Sequence, residues 1–206
     1  MFTGDKYEPF PPSLSLSCNT DGAPVFKSSN RSLWPVYYVI NNLPIEERRK
    51  HIILHALWFG CGKPDMTCFH QPIIDEFNIL REEGLQWLLP SGEMTTTRVV
   101  LDLTVADSVE WPLIHNFKQF SGAYGCGFCL HDGQVVDRGP GKARVYPLLE
   151  SEVRTHAQCL TFAEQAESNH IDTFGVKGLS LLYLLPQFDI VNGFNHEYMH
   201  CILLHH

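Results

Sequence analysis

Hydrophobic and polar residues alternate along several short stretches in the first half of the chain. A period of two is typical of a strand with one buried face, and it predicts strands at residues 14–19 and 34–40. Residues 51–60 are apolar at most positions, which predicts a third strand that is buried on both faces. Alternation returns at residues 95–106 and predicts a fourth strand.

Helical spacing of apolar residues begins after the third strand. It predicts a helix over residues 65–83 and a second one over residues 111–120, with Ser108 as the cap of the second. A polar stretch at residues 148–168 predicts another helix, and residues 195–204 have the pattern of the start of one more. The order strand, strand, strand, helix, strand, helix therefore predicts an α/β fold built on a mixed sheet.

Composition fits a globular domain, since 44% of the 206 residues are hydrophobic and 18% are charged. No apolar stretch reaches the roughly 18 residues needed to span a bilayer, so we expect no membrane partner. The N-terminus has no basic flank followed by an apolar core, so no secretory signal is expected. Seven cysteines without such a signal favour reduced thiols over a disulfide framework.

The net charge of −8 counts against a simple DNA-binding module, which usually has a basic surface. Residues 51–137 contain eleven acidic and four basic residues, which suits a metal-dependent nuclease core and an ordinary acidic surface equally well. Residues 138–144 contain three basic residues and no acid, a weak patch for contacting a phosphate backbone.

Two aspartates stand at the ends of predicted strands. Asp21 ends the first alternating run and Asp107 ends the fourth. Carboxylate oxygens suit a hard cation such as Mg²⁺, but aspartate is also favoured in caps and turns, and spacing alone favours that structural use. Asp102, on the fourth strand itself, is the nearest alternative carboxylate. In a ribonuclease-H-like sheet the first and fourth strands are neighbours, so Asp21 and Asp107 would meet at one edge.

A Cys-x-x-Cys pair, Cys126 and Cys129, follows nineteen residues after Asp107. The pair is half of a typical zinc site, and its structural alternative is a tight turn with two free thiols. His131 is one candidate for completing the site, and His196 and His200 at i, i+4 are two more, although a lone helical histidine is more often structural.

The remaining cysteines have a simpler interpretation than the pair. We expect them to be small buried hydrophobic residues. They are Cys18, Cys61, Cys68 and Cys159.

Several longer segments resemble the catalytic region of CACTA (En/Spm-like) DDE transposases, in the order of that family and across most of residues 14–204. The segments are Asp21-Gly22, Val25–Ser29, Trp58-Phe59-Gly60, Lys63-Pro64, Asp107-Ser108-Val109, Tyr124–His131, Gly175–Gly178, Leu185–Phe194 and Tyr198–Cys201. The spacing from Asp107 to the cysteine pair also resembles that of the vertebrate V(D)J recombinase catalytic subunit.

The resemblance implies a ribonuclease-H-like core at residues 14–121, after a lead-in at 1–13. It also implies the start of a zinc-bearing, mainly helical insertion at residues 122–206. By this resemblance Asp21 and Asp107 are the first two acids and hold Mg²⁺ or Mn²⁺. Cys126 and Cys129 are the first zinc ligands, and His200 lies in a segment that approaches the active site. The implied partners are transposon ends and target DNA, with a possible homo-oligomer, in the nucleus.

Two features of the family have no counterpart within the sequence. The third acid, a glutamate, and the second pair of zinc ligands both lie downstream of the family's Met-His-Cys segment. We therefore expect a transposase fragment that is inactive alone. The alternatives are a domesticated, non-catalytic zinc-containing module that binds DNA or protein, and an unrelated zinc-binding α/β domain.

Overall fold

The computed structural model describes residues 13–25, 30–185 and 187–196, and these residues form two compact units. The first unit extends to Thr104 and includes Leu185–Gln187, whereas the second comprises Val105–Leu184 and the chain from Phe188. The predicted α/β class is confirmed, since helices accompany a mixed sheet. The expected boundary between residues 121 and 122 stays a prediction.

The elements of the first unit are strands and two helices. They are β1 Leu14–Thr20, β2 Ala23–Pro24, β3 Arg31–Ile40, α1 Ile45–Arg48, β4 Ile53–Cys61, α2 Met66–Glu82, β5 Leu85–Leu88, β6 Met94–Thr97 and β7 Val99–Ala106, whose last two residues belong to the second unit. The second unit continues with short elements. They are α3 Trp111–Ile114, β8 Gln134–Arg138, β9 Gly141–Val145, α4 His156–Asn169, a 3₁₀ helix at Leu181–Leu184 and β10 Phe194–His196.

The main sheet has the strand order β10-β7-β1-β3-β2, and β4 also pairs with β3. Strand β3 is antiparallel to β1, β2 and β4. The Leu14 N–H donates to the Arg98 carbonyl at 2.8 Å, so β1 and β7 begin at the same edge and run in the same direction. The sheet is therefore mixed, with its parallel pair between the first long strand and the fourth.

Alternation along β1 and β3 buries one face of each strand, as the sequence predicted. Leu16 and Cys18 are buried on β1, and Trp34, Val36 and Tyr38 are buried on β3. Helix α2 contributes its own buried residues, Ile73, Ile74 and Phe77. The Tyr38 and Phe77 rings meet edge to face, with centroids 5.3 Å apart. This layer of sheet and helix is the hydrophobic core of the first unit.

Strand β4 differs from its prediction, because it is not buried on both faces. Ile53, Leu54, Leu57 and Phe59 are each 43–54% exposed. Among the described strands β4 pairs only with β3, which leaves its other side as an edge. A continuous apolar run thus forms an edge strand here, because composition alone does not report how many neighbours a strand has.

The predicted fourth strand at residues 95–106 is two strands separated by Arg98. Strand β6 pairs with β5 in a separate two-stranded sheet, where Trp87 Nε1 donates to the Thr97 hydroxyl at 2.9 Å. Strand β7 alone joins the main sheet. The sequence pattern continues through both strands, so it does not show that β6 and β7 belong to different sheets.

The helices of the second unit are shorter than predicted. Helix α3 has four residues instead of ten, although Pro112 lies in its first turn as expected. Helix α4 starts at His156, behind a capping box formed by Thr155 and Gln158. The helix predicted at 195–204 begins instead as strand β10, and its later residues lie outside the described part of the chain. No helix in the described ranges is both long and apolar enough to cross a lipid bilayer.

Candidate functional site

Asp21 is the first residue after β1, in the first unit, and its side chain is exposed. The strand before it ends at Thr20, which is buried and pairs with Val36 of β3. Because the residue is exposed, solvent ions can reach it. The position therefore permits the predicted role in metal binding.

Asp107 is the first residue after β7, in the second unit, and it is half-buried. Its Oδ1 accepts two hydrogen bonds, from the N–H of Val109 at 2.9 Å and from the N–H of Glu110 at 2.6 Å. The turn before α3 is thus capped by Asp107 and not by Ser108, which corrects the sequence prediction. The second oxygen, Oδ2, has no hydrogen-bond donor within the described ranges.

Asp102 has a different environment on β7 itself. It is half-buried, and its Oδ2 accepts a hydrogen bond from the Ser15 hydroxyl of the neighbouring strand β1. This carboxylate is therefore engaged within the sheet, between the strands and away from their ends. Asp102 is therefore a suitable control residue when Asp21 and Asp107 are substituted.

The cysteine pair lies in a loop of the second unit, with both residues half-buried. The Cys126 sulfur accepts a hydrogen bond from the Phe128 N–H at 3.4 Å, and the Cys129 thiol lies near enough to influence the pKa of Cys126. Burial raises the pKa of the Cys126 thiol. Gly127 is required between them, because an added Cβ would lie 2.7 Å from the Trp111 ring. The two sulfurs are thus already adjacent, as the first ligands of a zinc site need to be.

A cavity of about 550 Å³ in the second unit is bordered by both cysteines and by two of the histidines named from the sequence. Its wall is otherwise mainly aromatic and aliphatic. Its lining residues include Trp111, Cys126, Cys129, His131 and His196. Sulfur and imidazole are the ligands that Zn²⁺ prefers, so the donor chemistry of this cavity suits zinc.

His131 is close to the pair in sequence but is not poised to bind a metal. Its Nδ1 accepts from the Gly133 N–H at 2.8 Å, so a neutral ring has its proton on Nε2. That Nε2 is buried without a hydrogen-bond partner among the described residues. Neither nitrogen offers a free lone pair in this arrangement, and His131 would have to give up its bond to Gly133 to become a ligand.

His196 is better suited to be a ligand than its sequence context suggested. It lies on β10, half-buried, with edge-to-face contact to Phe128 at a centroid distance of 5.4 Å. Burial lowers the pKa of His196, and the negative charge of Asp107 partly offsets this effect. The imidazole is therefore neutral at pH 7, and its buried Nδ1 has no partner among the described residues.

Within residues 13–25, 30–185 and 187–196, no group of three or more histidine, cysteine, aspartate or glutamate side chains is arranged to hold a metal ion. His200 lies outside these ranges. The described residues thus provide a half-site of two thiols, with His196 as the neutral imidazole that borders the same cavity.

Arg154 is a residue of this site that sequence reasoning missed. It is only 2% exposed, and its guanidinium donates to the backbone carbonyls of both cysteines. Its one sequence signal is weak: a basic residue within a segment that is otherwise acidic, directly before a capping box. Burial of an arginine depends on which carbonyls the fold brings together, and a local pattern does not contain that information.

Comparison of the chain with models of known protein families and with curated proteins gives no match. The relationship to CACTA transposases therefore rests on the sequence motifs and stays a prediction. The same holds for the DNA partner, the homo-oligomer and the nuclear location that the resemblance implies.

Proposed function

We propose that this chain carries part of the catalytic region of a CACTA-type DDE transposase, with Asp21 and Asp107 as its first two acids. The observation that carries the proposal is the parallel pairing of β1 and β7. These are the first and fourth long strands, whose adjacency is expected of a ribonuclease-H-like sheet, and an aspartate follows each of them. The partial order β4-β3-β1-β7 gives the same support.

The proposed reaction is cleavage of DNA at the ends of a mobile element, followed by joining of the freed 3′-hydroxyls to target DNA. Mg²⁺ or Mn²⁺, when bound, activates the attacking hydroxyl or water and stabilises the leaving oxygen. Asp21 provides an accessible carboxylate, and Asp107 provides Oδ2 while Oδ1 fixes the following turn. No third acid is assigned within this sequence, and we expect residues 1–206 alone to be inactive.

The cysteine pair is proposed as part of a structural zinc site. Cys126 and Cys129 would hold the ion, and His196 is the histidine whose protonation and free nitrogen fit best. The proposed partners are transposon ends and target DNA in the nucleus, and the proposed assembly is a homo-oligomer. His200 stays a candidate ligand by resemblance.

The alternative function is a non-catalytic, zinc-containing module that binds DNA or protein. The capping role of Asp107 favours it, because a carboxylate that accepts two backbone N–H groups has a structural purpose without any metal. This alternative keeps the zinc half-site and removes the catalytic role of the two aspartates.

The test is Mn²⁺-dependent nicking of a supercoiled plasmid by a version of the protein extended past residue 206. Asparagine is as good a cap as aspartate, so Asp107→Asn keeps the turn and removes only the charge. We expect Asp21→Asn and Asp107→Asn each to lower the rate by roughly 100-fold or more, since a metal-bound charge contributes several kcal/mol.

Asp102→Asn is the matched control, because it removes a carboxylate from β7, the strand that Asp107 follows, while the Ser15 hydrogen bond can persist. Its rate should stay within about twofold of the parent, as expected of a change outside the chemistry. Equal nicking by Asp107→Asn and the parent would refute the catalytic proposal. Zinc retained at Cys126 and Cys129 in that case would favour the non-catalytic module.

A further inference from the structure

The buried guanidinium of Arg154 has no carboxylate partner among the described residues. It is 2% exposed, and none of the ion pairs within the described ranges includes it. Its plane also lies over the Phe117 ring, with Cζ 5.5 Å from the centroid. A buried charge is costly unless it is compensated. The guanidinium interacts with the Cys159 side chain, and its Nη1 has no hydrogen-bond partner among the described residues, so Nε and Nη2 make its bonds to carbonyls.

Four backbone carbonyls accept from the Arg154 side chain, and three of them belong to the loop of the cysteine pair. Nε donates to the carbonyls of Cys126 at 2.9 Å and Cys129 at 3.1 Å. Nη2 donates to Tyr124 at 2.9 Å and to Phe174 at 2.7 Å. The Arg154 backbone N–H adds a bond to Phe128 at 2.9 Å. The Arg154 side chain therefore binds the loop at Tyr124 and at both cysteines, and its backbone N–H binds the loop at Phe128.

Two of these carbonyls come from residues with strained backbones. Tyr124 has a φ of 58° and Phe174 a φ of 46°, in the left-handed region that bulky side chains rarely adopt. Such conformations cost about 1–3 kcal/mol each and persist only where the surroundings enforce them. Both receive their hydrogen bond from the same Nη2. The guanidinium thus stabilises the strained turn that leads into Cys126.

From this geometry we propose that Arg154 is a positioning residue that holds Cys126 and Cys129 together as a preformed dithiol ligand. Its guanidinium binds the two cysteine carbonyls, so its contribution to the pair is the position of the backbone that carries both thiols. The choice of zinc as the occupant rests on the proposed function, whereas the preformed dithiol does not depend on any metal.

Arginine is specifically suited to this role. Its planar fork reaches four acceptors in different directions, while lysine has a single nitrogen on a flexible stem. Lysine at position 154 would keep the charge and lose most of the carbonyl bonds. Comparing Arg154→Lys with Arg154→Met therefore separates the geometric contribution from the electrostatic one.

The experiment uses the whole 206-residue chain and a probe that needs two adjacent thiols, phenylarsine oxide. Arsenic forms two As–S bonds with the thiols, and its oxygen leaves with their two protons as water. We expect the affinity for this probe to fall roughly 10–100-fold in Arg154→Lys and further in Arg154→Met, as for other residues that orient metal ligands.

A second readout reports ligand geometry directly. Co²⁺ bound to the chain should give a thiolate-to-metal charge-transfer absorption band, and this band should weaken in Arg154→Lys while far-UV circular dichroism stays unchanged. The matched control is Arg144→Met. Arg144 also donates to two carbonyls in the same unit, those of Asp132 and Gly133, but it does not contact the cysteine carbonyls.

The outcomes separate this inference from the proposed function. Parent-like probe affinity and an unchanged Co²⁺ band in folded Arg154→Lys would overturn the positioning role. An equal loss in Arg144→Met would also overturn it, because the effect would then be general destabilisation. A loss confined to the Arg154 variants, in a chain whose parent binds the arsenical but not Zn²⁺, would support the preformed dithiol and refute the zinc assignment.

Discussion

Each of the two units buries apolar side chains, but their secondary structure differs in regularity. In the first, buried residues recur at every second position of β1 and β3, and α2 covers them with an apolar face. In the second, most elements are short, and the loop of the cysteine pair depends on the hydrogen bonds of Arg154. The first arrangement tolerates changes that keep volume and pattern, whereas the loop of the cysteine pair depends on individual polar contacts.

The largest loss of stability is expected from a substitution in the core of the first unit. Phe77 on α2 is 4% exposed and packs against Tyr38, so Phe77→Ala should lower the free energy of unfolding by about 3–5 kcal/mol. Urea unfolding followed by circular dichroism measures this loss. Ile79 on the same helix is 53% exposed, and Ile79→Ala should cost less than about 1 kcal/mol. Similar losses in both variants would argue against a core centred on Phe77.

An intermediate effect is expected at Gly175, which supports the strained turn of the second unit. Its φ is +80°, and an added Cβ would lie 2.3 Å from the Tyr124 carbonyl oxygen, an acceptor of Arg154. Gly175→Ala should therefore cost about 2–3 kcal/mol, from the left-handed conformation and the contact together.

Gly139 separates these two contributions to the Gly175→Ala penalty. Its φ is +59°, and nothing lies within 4 Å of an added Cβ, so Gly139→Ala should show only the conformational cost of about 1–2 kcal/mol. Both losses are measured by urea unfolding. A Gly175→Ala penalty no larger than that of Gly139→Ala would mean that the turn at Tyr124 moves freely.

The smallest expected effects are at the helix caps, one in each unit. Thr155→Ala removes the capping box of α4 and should cost about 1 kcal/mol at any pH, because threonine does not titrate.

Asp65 caps α2 by accepting from Cys68 N–H at 2.8 Å, and this hydrogen bonding lowers the pKa of Asp65 below its ordinary value of 3.8.

The sign of the pH dependence follows from that lowered pKa. A carboxylate whose folded pKa is depressed stabilises the protein above its unfolded pKa and loses this contribution as the pH falls through the folded pKa. The stability difference between Asp65→Ala and the parent should therefore shrink on acidification below about pH 3.8, while the Thr155→Ala difference stays constant. A constant Asp65→Ala difference across that range would contradict the cap assignment.

The sequence predicted the parts of the fold that repeat a simple period. Strands β1 and β3 and helix α2 were found where alternation and helical spacing indicated, because each buries one regular face. Strand β4 was predicted to be buried and is an edge, because an apolar run does not specify its neighbours. Cys61 and Cys68 were expected inside and are exposed, whereas Cys18 and Cys159 are buried as predicted.

The cysteine pair and the histidines of the candidate site could be named from the sequence as candidates, whereas the contacts around them could not. Spacing identified the cysteine pair and the histidines, since metal ligands recur at characteristic intervals. The capping bonds of Asp107 and the proton position of His131 depend on backbone N–H groups that only the folded turns provide. Arg154 is the clearest case, because its partners come from segments 20 to 30 residues away along the chain.

The hairpin β8–β9 has a practical consequence for handling this protein. Cys129 and Val153 form an antiparallel bridge, so the chain leaves and returns at one place, and the hairpin between them ends in the exposed tip Gly139-Pro140. Lengthening a loop whose ends are already fixed adds little entropy cost. A reporter peptide or affinity tag placed at this tip should be displayed on the surface while the folded framework on either side is preserved.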